Sequence, residues 1–235
     1  MLVCAHTPSY LPSLAYFDDI ARAELFVALD DWPFDPHGVQ HRSRVADERG
    51  EHWLTVPLVP GAGPRIVDQR IDHDTQWQGR TRQQLAASYR RAPHVARYAD
   101  DLRFVYTQPW RRLADLDLYL IDLGRRWLGI RTPVARSSEL LDHEVTGDPV
   151  DHLIAICRRV GGRSLLVEPD APREFVERLA HAGIGVARRH DDHPVYAQHD
   201  RRTFAPHLGF LDLLFNHGEA SREILFGPVR TALAG

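Results

Sequence analysis

An α/β fold with a doubly wound, mostly parallel sheet of about five strands, a helical insert and C-terminal helices is predicted by three observations. The chain opens with strand, turn, helix and strand inside its first thirty residues. The same alternation returns after Pro133, and glycines at Gly161-Gly162 and Gly183 stop the later helices. Between these two stretches lies a run with helical periodicity only.

Each element follows from its local pattern. Leu2 to Ala5 is a short apolar run that ends in His6-Thr7-Pro8-Ser9, and Ser13 stands where an N-cap would precede Leu14, Phe17, Ile20 and Ala21 at helical spacing. Leu25 to Leu29 is a second apolar strand, which makes a βαβ unit with parallel strands. The Pro- and Gly-rich loop from Asp30 to Gly38, a strand from Trp53 to Leu58 and the Pro60-Gly61-Ala62-Gly63-Pro64 turn read as an insertion over the strand ends. Thr75 to Tyr89, Pro93 to Val105 and Gln108 to Leu128 are predicted helices, the last with Leu113, Leu116, Leu120, Leu123 and Trp127 on one stripe. Then come strand Pro133 to Arg136, helix Pro149 to Val160, strand Ser164 to Val167, helix Pro172 to His181 and strand Ile184 to Arg188. One domain over 1–235 is expected, with an N-terminal βαβ and loop region to 60, a helical insert over 65–130 and a C-terminal α/β half from 131.

Composition narrows the chemistry. All 29 basic residues are arginine, so Schiff-base catalysis, covalent pyridoxal phosphate and a lysine-dependent P-loop are excluded. The net charge of −3 gives no general attraction to nucleic acid or to an acidic membrane, and no apolar run approaches the ~20 residues of a membrane span. No basic, apolar leader precedes the first strand, and Cys4 and Cys157 read as reduced thiols, so a cytoplasmic location is expected.

Candidate site residues gather at the strand ends. In open parallel sheets ligands bind outside the carboxyl ends of the strands, which places His6 and Tyr10 as catalytic candidates beside the first helix. His6 is otherwise a turn-capping histidine. Asp30-Asp31 closes the second strand and can act as a general base, bind an amine or hold a magnesium ion, unless the pair only forms a turn before Pro33. No other cofactor is implied. Gln40 and Arg42 are substrate-binding candidates, because Arg42 and Arg44 share a face of an extended segment and can clamp a phosphate or carboxylate. Cys4 also shares a strand face with His6, the pairing that generates thiolate nucleophiles, although a cysteine in an apolar strand is usually packing. His193 and Tyr196, after the last strand, are further substrate-binding candidates, while Asp191-Asp192-His193 could suggest metal but reads as a structural loop without defined ligand spacing. Asp212 and Asn216, four apart on a strongly apolar helix, must be hydrogen-bonded and either brace the site loops or line the site.

Taken in order, several of these segments resemble the WbqC-like family, bacterial proteins of polysaccharide and natural-product biosynthesis. The carriers are His6-Thr7-Pro8-Ser9-Tyr10-Leu11-Pro12, Leu29-Asp30-Asp31, Arg42, Trp53-Leu54-Thr55-Val56-Pro57, Arg136-Ser137-Ser138-Glu139-Leu140, His193-Pro194 with Tyr196 and Gln198, and Leu211 to Asn216. The chain departs from the family with His41 and Ser43 beside the arginine and with Val167-Glu168-Pro169-Asp170-Ala171 in place of a glycine-rich turn. The resemblance implies a biosynthetic context more than a reaction; with the polar rim it leads to the expectation of a transferase, acyl or aminoacyl transfer to an amine or hydroxyl of an amino sugar or natural-product precursor, with an acyl-carrier or peptidyl-carrier protein as partner. The competing expectations are a nucleotidylyl transferase-like enzyme using magnesium, or a non-catalytic carrier-protein or sugar-binding partner.

Overall fold

The structure, a computed structural model, describes residues 1–141, 147–189, 193–199 and 203–227. Five strands, β1 (Leu2–His6), β2 (Leu25–Ala28), β5 (Val134–Arg136), β6 (Ser164–Val167) and β7 (Gly185–Arg188), form one parallel sheet in the order β5-β2-β1-β6-β7. The remaining two strands, β3 (Arg42–Asp47) and β4 (Gly50–Thr55), pair antiparallel as a separate hairpin. The strand expected at Trp53 to Leu58 is therefore the second arm of a hairpin that begins at Arg42. Its first arm lacks the apolar alternation that marks a strand, because Arg42, Ser43 and Arg44 fill its first half.

Strand alternation sorts the apolar side chains onto two faces. Cys4, Phe26, Ala28 and Leu166 pack with α1 (Leu14–Arg22), α4 (Leu113–Trp127) and α8 (Leu211–His217). Val3, Val27, Leu29, Leu165 and Val167 pack with α6 (Pro149–Val160) and α7 (Arg173–His181). Both faces are thus covered, as an all-parallel sheet requires. The middle of the chain is helical, with α2 (Trp77–Ser88), α3 (Val95–Val105) and α4. A short α5 (Ser137–Leu140) follows β5, and α9 (Ser221–Phe226) closes the described chain.

Helix α1 buries Leu14, Phe17 and Ile20 against the sheet, each fully buried apolar side chain contributing about 1.5–3 kcal/mol. A Cβ at Gly124 of α4 would overlap the Phe17 ring, so a glycine there fixes how closely α4 approaches α1. Ser13 occupies the N-cap position without a side-chain cap bond; its backbone instead bridges to Gly209. The consequence for the site is that Asp19, 2% exposed, is held on the sheet side of α1.

The loop after β1 is similarly fixed. Leu11 is buried with φ +46, its carbonyl accepts the Ser43 hydroxyl at 2.8 Å, and Tyr10 donates its backbone N–H to Val39 at 3.2 Å. The β3–β4 hairpin therefore clamps the segment that leads from His6 into α1.

Candidate active site at the carboxyl edge of the sheet

Strand order reverses between β1 and β6, so the crevice expected to take a ligand opens where His6 ends β1 and Glu168 follows β6. His6 is 28% exposed, and its Nε2 lies 2.9 Å from Asp19 Oδ2. Arg189, just past β7, reaches the same carboxylate oxygen at 3.5 Å and also pairs with Glu168. The Tyr16 ring lies 5.4 Å from the imidazole, and its hydroxyl donates to the Thr7 carbonyl. Burial of the imidazole works against its charged form, yet the adjacent Cys4 sulfur and the Asp19 carboxylate outweigh it and raise the His6 pKa from 6.5 to about 10. At neutral pH this ring is an imidazolium, so it donates a proton or stabilises negative charge. It is not a base.

Beside it at the same edge stands a second polar cluster. Asp30 is 0% exposed, and Arg136 Nε and Nη2 each lie 2.7 Å from its Oδ2. Ser138 donates its backbone N–H to Oδ1 at 3.0 Å and its hydroxyl to Oδ2 at 2.8 Å, and Ser137 lies 3.3 Å from Oδ1. Asp31, its side chain 12% exposed, accepts the Ser137 hydroxyl and sits 3.3 Å from His152 Nε2, close enough for an ion pair but without hydrogen-bond alignment. Partial burial opposes the Asp31 charge, but His152 and Ser137 hold the carboxyl below its usual range.

Magnesium takes its protein ligands from carboxylates that keep free oxygen lone pairs. Asp30 has already spent its lone pairs on Arg136 and Ser138, so the acidic pair does not fit a magnesium site. Among the described residues no group of three His, Cys, Asp or Glu side chains could hold a metal ion.

The other predicted residues are placed elsewhere. Tyr10 is 1% exposed and shares a hydrogen bond with the Tyr106 hydroxyl at 2.8 Å inside the core, which takes it out of the catalytic role expected for it. Arg42 donates to the carbonyls of Gly38 and His37 and stacks 4.5 Å over Trp53, so its fork tightens the loop before the hairpin instead of clamping an anion. Gln40 accepts the Asp35 N–H at 2.7 Å in the same loop. Asp212 accepts from Tyr196 at 2.9 Å and Gln198 at 2.8 Å, while Asn216 accepts the His199 N–H at 2.9 Å; both brace the 193–199 segment. His193 accepts the His207 N–H at 3.1 Å in that brace. Cys4 does lie beside His6, as the shared strand face predicts, but it is fully buried against α1; Asp191 and Asp192 lie outside the described residues.

Of the predicted catalytic residues, His6, Asp30 and Asp31 thus meet at one edge, divided between its two faces. The partners that give them their chemistry, Asp19, Arg189, Ser137 and His152, were not singled out from the sequence. Asp19 carried one readable signal, since it lies two residues from Phe17 and next to Ile20 on a helix whose inner face is apolar.

Known proteins bear on this arrangement. A protein of Mycobacterium tuberculosis, Rv1507c, described only as uncharacterized, is 27% identical over 221 residues, which cover 92% of this chain and 94% of the relative. No solved structure matches the chain. The model of the WbqC-like protein family matches residues 7–224, a span that includes Asp19, Asp30, Asp31 and Arg136 and begins one residue after His6. The match takes in every described element except β1 and the end of α9, and the chain belongs to the WbqC-like protein family.

Proposed function

We propose that this chain is a biosynthetic transferase that moves an acyl or aminoacyl group to an amine or hydroxyl of an amino sugar or natural-product precursor, with His6 as its proton donor. The observation that carries this reading is the His6–Asp19 pair: a partly exposed imidazole, charged at neutral pH, at the switch point of a doubly wound sheet. In acyl transfer a bond forms from the attacking nitrogen or oxygen to the acyl carbon, negative charge collects on the acyl oxygen, and the bond to the leaving group then breaks. An imidazolium serves both demands, stabilising the oxyanion and protonating the departing group. Asp19 keeps Nε2 engaged and fixes the ring at the crevice. The attacking amine loses its proton to solvent or to Asp31, the carboxylate of the acidic pair with fewer bonds. Small-molecule acceptors and an acyl-carrier or peptidyl-carrier donor fit this chemistry.

The test is single-turnover transfer monitored by mass spectrometry, using acyl and aminoacyl thioesters as donors and amino-sugar acceptors. The wild type is expected to form amide or ester, and His6→Gln is expected to lose about 10²–10⁴-fold in rate, the usual contribution of a positioned acid. Undiminished turnover by His6→Gln would remove His6 from the reaction, and the absence of transfer from every donor would refute the transferase itself.

A further inference from the structure

Beyond the carboxyl edge, a second feature of the molecule has the makings of a ligand site. A cleft of about 1190 Å³ opens at the other edge of the sheet, where α1 and α4 end and the segment 129–132 leads into β5. Four arginines line it, Arg22, Arg126, Arg131 and Arg222, against the single carboxylate of Asp18. On a chain of net charge −3 this is a local inversion of sign.

The arginines fall into two kinds. Arg22 and Arg126 close the last turns of α1 and α4, where cations answer the partial negative charge of a helix C-terminus, and they pair with Asp18 at 2.7 Å and Asp122 at 3.3 Å. Arg131 and Arg222 stand at no such helix end and reach no carboxylate among the described residues. The Arg222 guanidinium lies 5.8 Å from the Phe226 ring centroid, and a Cβ at Gly129 would come within 3.2 Å of its Nε. With φ +67, Gly129 is both the residue the turn needs and the one that lets Arg222 lie across the cleft wall.

From this we infer that the cleft binds an organic diphosphate, a diphosphate ester with an aromatic or apolar substituent. Guanidinium forks match phosphate oxygens in pairs, and two forks without a carboxylate partner in one cleft suit a ligand with more than one anionic group. Ile130, Leu225 and Phe226 supply the apolar wall against which the substituent packs. The site is independent of the proposed transfer chemistry, because it lies at the opposite edge of the sheet from His6.

The experiment is isothermal titration of the full chain with inorganic pyrophosphate and with uridine diphosphate, repeated on Arg131→Ala/Arg222→Ala and on His6→Gln. Both arginines are exposed, so the double variant is expected to fold, and its circular dichroism checks this. Wild type is expected to bind both probes, uridine diphosphate more tightly, with affinity falling as salt rises. The double variant is expected to weaken binding at least about tenfold, the loss expected for one charge-assisted hydrogen bond, and His6→Gln to leave it unchanged. No binding of either probe, binding that survives the double variant, or binding abolished by His6→Gln would each overturn the proposal.

Discussion

Two acid-centred clusters flank the carboxyl edge of one sheet, and they differ in how far their hydrogen-bonding capacity is used. Around Asp30 the carboxylate has no exposed surface and three donor groups aligned on it from Arg136 and Ser138. Around His6 a buried carboxylate, Asp19, serves to charge a ring that is itself partly open to solvent. The contrast separates an acid that ties β2 to β5 and α5 from one that prepares a neighbour for chemistry. The number of groups already satisfied, more than the residue type, distinguishes them.

Removing Asp30 breaks this comparison hardest. Asp30→Ala leaves Arg136 and Ser138 without their acceptor, and a loss of about 3–5 kcal/mol is expected in urea unfolding, toward the lower end because Arg136 keeps 25% exposure. A loss below about 1 kcal/mol would mean that the cluster is not structural.

Asp117 sharpens the contrast from the other side. It is 0% exposed on the inner face of α4, and neither carboxylate oxygen has a partner among the described residues. Burial alone raises its pKa well above the usual carboxylate value, so the folded protein keeps it neutral. The unfolded chain ionises near pH 4 while the folded chain does not, so this group makes stability fall as pH rises above that point. Asp117→Leu is expected to gain about 1–3 kcal/mol at pH 7, the cost of a buried unsatisfied polar group, and less at pH 4. A gain independent of pH would contradict a neutral Asp117.

A smaller effect is expected at His6. Its pKa is raised, so its stabilisation is fully present below about pH 6.5 and is lost as pH climbs through about 10. The stability difference between wild type and His6→Gln should therefore narrow over that interval and be constant below it. At the hairpin, Trp53→Ala removes an exposed ring under Arg42 and is expected to cost about 0.5–1 kcal/mol without altering transfer.

The comparison also explains what the residue pattern conveys. Apolar periodicity located all five parallel strands, the three middle helices and the C-terminal helices, because sheet and helix faces bury side chains at fixed periods. It missed strand β3, where Arg42 and Arg44 face outward, and it passed over Asp117 on the Leu113–Leu116–Leu120 stripe, since a buried acid leaves the surrounding leucines in place. Position along a strand was enough to put His6, Asp30 and Asp31 at one edge. It could not assign their partners, because Asp19–His6 and Asp31–His152 are contacts made only when helices pack on opposite faces. Tyr10 illustrates the same point, for its hydroxyl is consumed by Tyr106, ninety-six residues away.

The central claim is that Cys4 and Asp19 together keep His6 charged at the site, and NMR titration of the His6 ring in wild type and Asp19→Asn tests the Asp19 share of it most directly. The wild-type ring is expected to stay protonated through neutral pH and to titrate near 10, with Asp19→Asn moving that midpoint well downward. A wild-type midpoint near 6.5, unmoved by Asp19→Asn, would contradict the account.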